Sequence, residues 1–161
     1  MSLEEKATAL LESCKAKGVK VTTAESCTGG LVSMWLTEIT GSSEMFDCGF
    51  VTYSYASKTQ MLGVPQDMLK QYGAVSAPVA EAMVRGALAR SKARVALSIT
   101  GVAGPGASES KPAGLVYIGL GEQDHDDIRV VENRFTGSRA EVRRQSAEKA
   151  LDMLCELINS Y

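Results

Sequence analysis

Thr23-Ala24-Glu25-Ser26-Cys27-Thr28-Gly29-Gly30 is the stretch on which the reading of this sequence turns. It closes Val19 to Thr23, a run rich in β-branched residues that predicts a short buried strand. After Gly30, the residues Leu31, Met34, Trp35 and Ile39 share one helical face, and Gly41-Ser42-Ser43 marks the helix end. A strand that stops at paired glycines ahead of a helix places those glycines at the carboxyl end of a sheet, where α/β folds bind ligands. Glycine lets the backbone come close to a bound group, and the free N–H groups of a first helical turn suit an anion or a developing oxyanion. Ser26 stands beside that turn.

Outward from this join the pattern is α/β throughout. Upstream, Ser2 and Glu5 form a capping box for a helix with Leu3, Ala7, Leu10, Leu11 and Cys14 on one face, stopped by Gly18. Downstream, Phe46 to Tyr53 reads as a second strand, followed by two short helices, Ala56 to Leu62 and Pro65 to Tyr72. Ser76 or Ala77 caps a longer helix with Pro78 in its first turn. Arg94 to Thr100 is a buried strand, and Gly101 to Gly114 is a long loop of the kind that is functional or disordered. Leu115 to Leu120 and Ile128 to Phe135, joined by the polar turn Glu122 to Asp127, predict an antiparallel hairpin, so the sheet is mixed. Ser138 and Glu141 box the start of a last helix with Ala147, Leu151, Leu154 and Ile158 inward.

With 161 residues, 45% of them hydrophobic, the chain reads as one domain spanning 1–161 with a sizeable core. A net charge of −2 provides no general attraction for nucleic acid or an acidic membrane. No apolar run approaches the ~18 residues of a membrane span, and the N-terminal residues lack a signal-like pattern. Cys14, Cys27, Cys48 and Cys155 contain no CxxC pair and read as reduced thiols, which predicts a cytoplasmic protein.

The chemistry is bounded by a shortage of histidine. The only one, His125, lies in a polar turn, which argues against a Ser-His triad and against a multi-histidine metal centre. Cys27 reads better as a packing thiol than as a nucleophile without a histidine base. Ser26 is better placed, either as a nucleophile or as a turn serine, and as a nucleophile it needs a base such as a desolvated lysine. Lys58, just after the second strand, is the candidate, with a solvated lysine as the alternative. The glycines Gly101, Gly104 and Gly106 fit neither a P-loop nor a dinucleotide fingerprint, so the loop either wraps a ligand with backbone amides or is purely structural; Thr100 offers a hydroxyl at its root. Arg139, Arg143 and Arg144 lie in the first turns of the last helix, against the dipole preference, as solvated arginines or as partners of an anion.

The motifs Thr23 to Gly30, Gly49-Phe50-Val51-Thr52-Tyr53, Gly73-Ala74-Val75-Ser76, Thr100 to Pro105 and Gly137-Ser138-Arg139 with Val142-Arg143, in this order along nearly the whole chain, resemble the CinA C-terminal domain, the nicotinamide mononucleotide deamidase family. Lacking the additional N-terminal domain of full-length CinA proteins, the chain looks like the stand-alone deamidases. The resemblance implies a three-layer α/β/α fold and hydrolysis of the nicotinamide carboxamide to nicotinic acid mononucleotide and ammonia, without metal or cofactor. It implies a Ser26–Lys58 dyad supported by Tyr53, Thr100 and Arg139. Glu25, Thr28, Gly29, Gly30, Gly101, Arg139 and Arg143 are the expected substrate contacts, with the amides of Thr28 to Gly30 as an oxyanion hole or a phosphate site. A homo-oligomer is expected, with no nucleic acid or membrane partner. The competing expectation is a non-catalytic pyridine-nucleotide-binding module linked to competence or DNA damage.

Overall fold

Ser2 and Ser138 start the first and last helices as their spacing predicts. Ser2 Oγ accepts the Glu5 N–H at 3.1 Å while Glu5 Oε2 accepts the Ser2 N–H, and Ser138 and Glu141 repeat the exchange. In the computed structural model, which describes residues 1–161, the elements run α1 (Leu3–Lys17), β1 (Val21–Glu25), α2 (Leu31–Thr37), β2 (Phe46–Val51), α3 (Tyr55–Leu62), α4 (Gln66–Tyr72), α5 (Ala77–Ala89), β3 (Val95–Gly101), β4 (Leu115–Glu122), β5 (Arg129–Arg134) and α6 (Arg139–Asn159).

The five strands form one mixed sheet in the order β2-β1-β3-β4-β5, with β2, β1 and β3 parallel and β3, β4 and β5 antiparallel. Apolar side chains leave the sheet on both faces. On one, Leu10, Leu36, Leu151, Leu154 and Ile158 from α1, α2 and α6 pack on Val21, Leu97, Ile99 and Ile118. On the other, Leu62, Leu69, Met83, Val84 and Ala87 from α3, α4 and α5 pack on Ala24 and Ala96. Each fully buried Leu, Ile or Met here stabilises the fold by about 1.5–3 kcal/mol. The mixed α/β sheet agrees with the sequence pattern, and the three layers agree with what the resemblance implies.

All five strands shift by one or two residues at an end, and the shifts of β1 and β2 shape the site. β1 starts at Val21 rather than Val19, because Gly18 takes a left-handed conformation and the Val19 N–H donates back to Cys14 O at 3.0 Å, finishing α1 instead of opening a strand. The strand therefore carries Glu25 as its last residue. β2 ends at Val51 rather than Tyr53, which frees Thr52 and Tyr53 to turn into α3. Ser54 caps that helix, its Oγ accepting the Ser57 N–H at 3.1 Å. No helix is long and apolar enough to cross a membrane.

Candidate active site

The three parallel strands deliver their carboxyl ends to one edge of the sheet. There Ser26 follows β1, Thr52 and Tyr53 follow β2, and Thr100 and Gly101 close β3. Helix α3, leaving β2, sends Lys58 back beneath the strand ends, where it is 0% exposed. Its Nζ lies 2.9 Å from Ser26 Oγ, donates to Thr52 O at 2.6 Å and reaches Tyr53 O at 3.5 Å.

A buried ammonium is disfavoured, and burial pulls the Lys58 pKa from 10.5 down to about 8, opposed by the negative charge of Glu109. Near neutral pH a usable fraction of the side chain is therefore the free amine. The two backbone carbonyls hold its N–H groups, which leaves the lone pair of the neutral form for the Ser26 hydroxyl proton. Cys27, next in the chain, has its thiol pushed up to about 12 by burial and stays protonated.

Ser26 and Lys58 form the floor of a cleft of about 340 Å³, also lined by Tyr53, Tyr55, Thr100, Gly101, Arg139 and the whole of Val102 to Glu109. Arg139 Nη1 donates to Gly104 O at 2.7 Å and Nη2 to Tyr53 Oη at 3.0 Å, and each of these nitrogens keeps a second N–H. Thr100 donates its hydroxyl to Ala74 O at 2.8 Å, so within the chain it ties β3 to the segment before α5. A larger cleft of about 590 Å³ beside Glu81, Glu122, Asp126 and Glu156 brings no nucleophile against a base, so volume alone would misplace the chemistry.

The remaining expected contacts do not line the cleft. Glu25 is fully buried, and its carboxylate accepts from Thr28 Oγ1 at 2.6 Å, the Val32 and Ser33 N–H groups at 3.0 Å and Ser33 Oγ at 2.8 Å. The Val32 and Ser33 amides at the start of α2 are thus taken by the chain's own carboxylate, which does not bond the Thr28 to Gly30 amides. Gly29 and Gly30 take φ of 61° and 106°, the left-handed region, and serve to turn the chain sharply after Ser26. Arg143 reaches the same turn from α6, donating from Nε to Cys27 O at 3.1 Å and from Nη2 to Thr28 O at 3.2 Å. Arg144 pairs with Glu148, and His125 is exposed in its turn. No three His, Cys, Asp or Glu side chains come together closely enough to hold a metal ion.

Sequence reasoning missed Glu109 and Tyr55, which meet in the wall of the cleft. Being the one carboxylate in the Gly101 to Gly114 loop was the only signal for Glu109.

Residues 3–158 match the family model described as CinA C-terminal domain. A nicotinamide-nucleotide amidohydrolase PncC of Pseudomonas putida is 50% identical over 154 residues, covering 94% of each chain. A protein of Caldicellulosiruptor bescii named as competence-damage inducible is 47% identical over 146 residues. The match takes in 90% of this chain and 35% of that protein, so the chain spans about a third of the length of the first such relatives. Among solved structures, competence/damage inducible protein CihA from Agrobacterium tumefaciens superposes with a TM-score of 0.92 at 42% identity, over 99% of both chains.

Proposed function

The chain belongs to the CinA C-terminal domain family, and from that premise we propose that it is a nicotinamide-nucleotide amidohydrolase working through Ser26 and Lys58. The observation that carries the reading is the 2.9 Å contact between Ser26 Oγ and the Nζ of a fully buried lysine. A nucleophile and a base within hydrogen-bond reach, with the base oriented by further partners, are the parts that covalent amide hydrolysis requires.

In this mechanism neutral Lys58 takes the Ser26 proton as Oγ attacks the carboxamide carbon of nicotinamide mononucleotide. The tetrahedral intermediate collapses as the Lys58 ammonium protonates the leaving nitrogen, releasing ammonia and leaving an ester on Ser26. Water, deprotonated by Lys58, then attacks the ester and frees nicotinic acid mononucleotide and the serine. One amide and one water are consumed; one carboxylic acid and one ammonia are formed.

The oxyanion falls to the Cys27 amide rather than to Thr28–Gly30. The Gly29 N–H is held by Ser26 O at 3.0 Å, and none of Thr28, Gly29 and Gly30 lines the cleft, whereas Cys27 adjoins the nucleophile and does line it. One such donor is worth roughly 3 kcal/mol in the transition state. The unused N–H groups of Arg139 suit the substrate phosphate, with Tyr53 holding the guanidinium in place. Free thiols at all four cysteines suit a reducing compartment, and the reading includes a cytoplasmic location.

A binding module without chemistry has no use for a buried lysine set against a serine hydroxyl, since that burial costs stability. The test is to incubate the purified, chelator-treated protein with nicotinamide mononucleotide and follow ammonia. Turnover is expected, falling at least about a thousandfold in Ser26→Ala and in Lys58→Ala. Undiminished turnover in either variant sinks the dyad.

A further inference from the structure

Glu109 has no part in the chemistry above, yet it is the most heavily bonded side chain of the cleft wall. The wall runs without a break from Val102 to Glu109 and then reverses in a tight turn. Ser108 N–H donates to Lys111 O at 3.0 Å, and Lys111 N–H donates back to Ser108 O at 2.8 Å. Glu109 and Ser110, at the centre of that turn, have φ of 55° and 63°, which costs residues bearing side chains and persists only where the surroundings over-determine it.

The surroundings do so. The Glu109 carboxylate accepts from Tyr55 Oη, from the Ala74 N–H at 3.2 Å and from the Val75 N–H at 3.1 Å. Lys111 Nζ donates to Tyr72 O at 2.7 Å and to Val75 O, and stands 3.6 Å from Glu109. Gly73 makes the approach possible: a Cβ there would come within 2.6 Å of Glu109 Oε1. Tyr55 is the first residue of α3, the helix that carries Lys58 three residues on.

We propose that Glu109 is a positioning residue, clipping the Val102–Glu109 wall to the Tyr72–Val75 segment and, through Tyr55, fixing the helix that presents Lys58 to Ser26. The link to Lys58 rests on the amidase reading; the clip itself does not. Burial alone would raise the Glu109 pKa, but the Tyr55 hydroxyl, the Val75 and Ala74 amides and Lys111 outweigh it and hold the group below the usual carboxylate range, so it is ionised when the enzyme works. Of the ionisable groups around it, Tyr55 and Lys111 touch it, while Cys27, Tyr53, Lys58 and Arg139 share its cleft. Its negative charge favours the ammonium form of Lys58.

The experiment compares wild type, Glu109→Gln and Glu109→Ala by hydrogen–deuterium exchange and by kcat and KM for nicotinamide mononucleotide across pH. In Glu109→Ala the Ala74 and Val75 amides exchange about tenfold faster or more, and kcat falls about tenfold, as loss of charged hydrogen bonds requires. Glu109→Gln, which keeps one acceptor oxygen, lies between. In both variants the rising limb of kcat/KM moves to lower pH, because the charge that favoured protonated Lys58 is gone; a merely structural role leaves that limb in place. Wild-type exchange at Ala74 and Val75 in Glu109→Ala overturns the clip, and an unmoved limb overturns its link to Lys58. Should the wild type fail to turn over the nucleotide, the amidase reading falls and the exchange rates alone decide the clip.

Discussion

Lys58 Nζ and Ser26 Oγ, 32 residues apart in the chain, lie 2.9 Å apart in the fold, with the lysine held from behind by Thr52 O. β1 and β2 run parallel and adjacent, so the residue after one strand and the first turns of the helix after the other meet at the same sheet edge.

With Lys58 as the base, the rate of amide hydrolysis should rise with pH. Burial brings the Lys58 pKa from 10.5 to about 8, and only the neutral amine accepts the Ser26 proton, so kcat/KM climbs through a midpoint near pH 8 and levels off above it. Two pH values below the midpoint, activity is down about a hundredfold. A flat profile between pH 6 and 9 is incompatible with Lys58 as the base.

The same burial works against stability. Because the folded-state pKa is depressed, the folded chain has released this proton between about pH 8 and 10.5 while the unfolded chain still binds it, so the lysine's penalty is fully present below pH 8 and fades as pH rises to 10.5. The fall from 10.5 to about 8 corresponds to about 3 kcal/mol as an upper estimate. Urea unfolding of Lys58→Met and wild type should therefore show the variant gaining relative stability as pH drops from 10.5 to 8, by up to that amount. A difference independent of pH removes the argument.

Arg143 holds the carbonyls of Cys27 and Thr28, not the cleft. Arg143→Ala frees the turn carrying the nucleophile, so kcat should fall roughly ten- to a hundredfold with KM little changed. Steady-state kinetics separates this from a direct substrate contact, for which KM would rise.

Glu25 satisfies four donors from a fully buried position. Glu25→Ala leaves the start of α2 and the Thr28 and Ser33 hydroxyls without that partner, and should destabilise the fold by about 3 kcal/mol or more, read as a lowered Tm. If Glu25 were a substrate contact instead, the variant would keep its Tm and lose affinity.

Much of the fold was legible because it is written in short-range signals. The capping boxes Ser2/Glu5 and Ser138/Glu141, the polar turn before Ile128 and the inward faces of α5 and α6 depend on residues a few positions apart. The errors were local too. Val19 carries strand propensity, but its N–H completes the cap at Gly18, and a backbone hydrogen bond outweighed a β-branched side chain.

At the site, the sequence by itself determined the cast: a serine at a strand end before two glycines, a lysine after the next strand, and one histidine too far into a polar turn to serve either. Only the tertiary structure decided which groups face one another. Lys58 is buried against Ser26 rather than solvated because α3 folds back under the strand ends and removes it from water. Glu25 closes the start of α2 instead of leaving it to a ligand, because the last residue of β1 points its carboxylate at that helix. Glu109 joins the cleft because the loop after β3 is pinned to residues more than 30 positions earlier in the chain. Hydrogen-bond geometry across such separations follows from sheet register and helix packing, which no local pattern encodes.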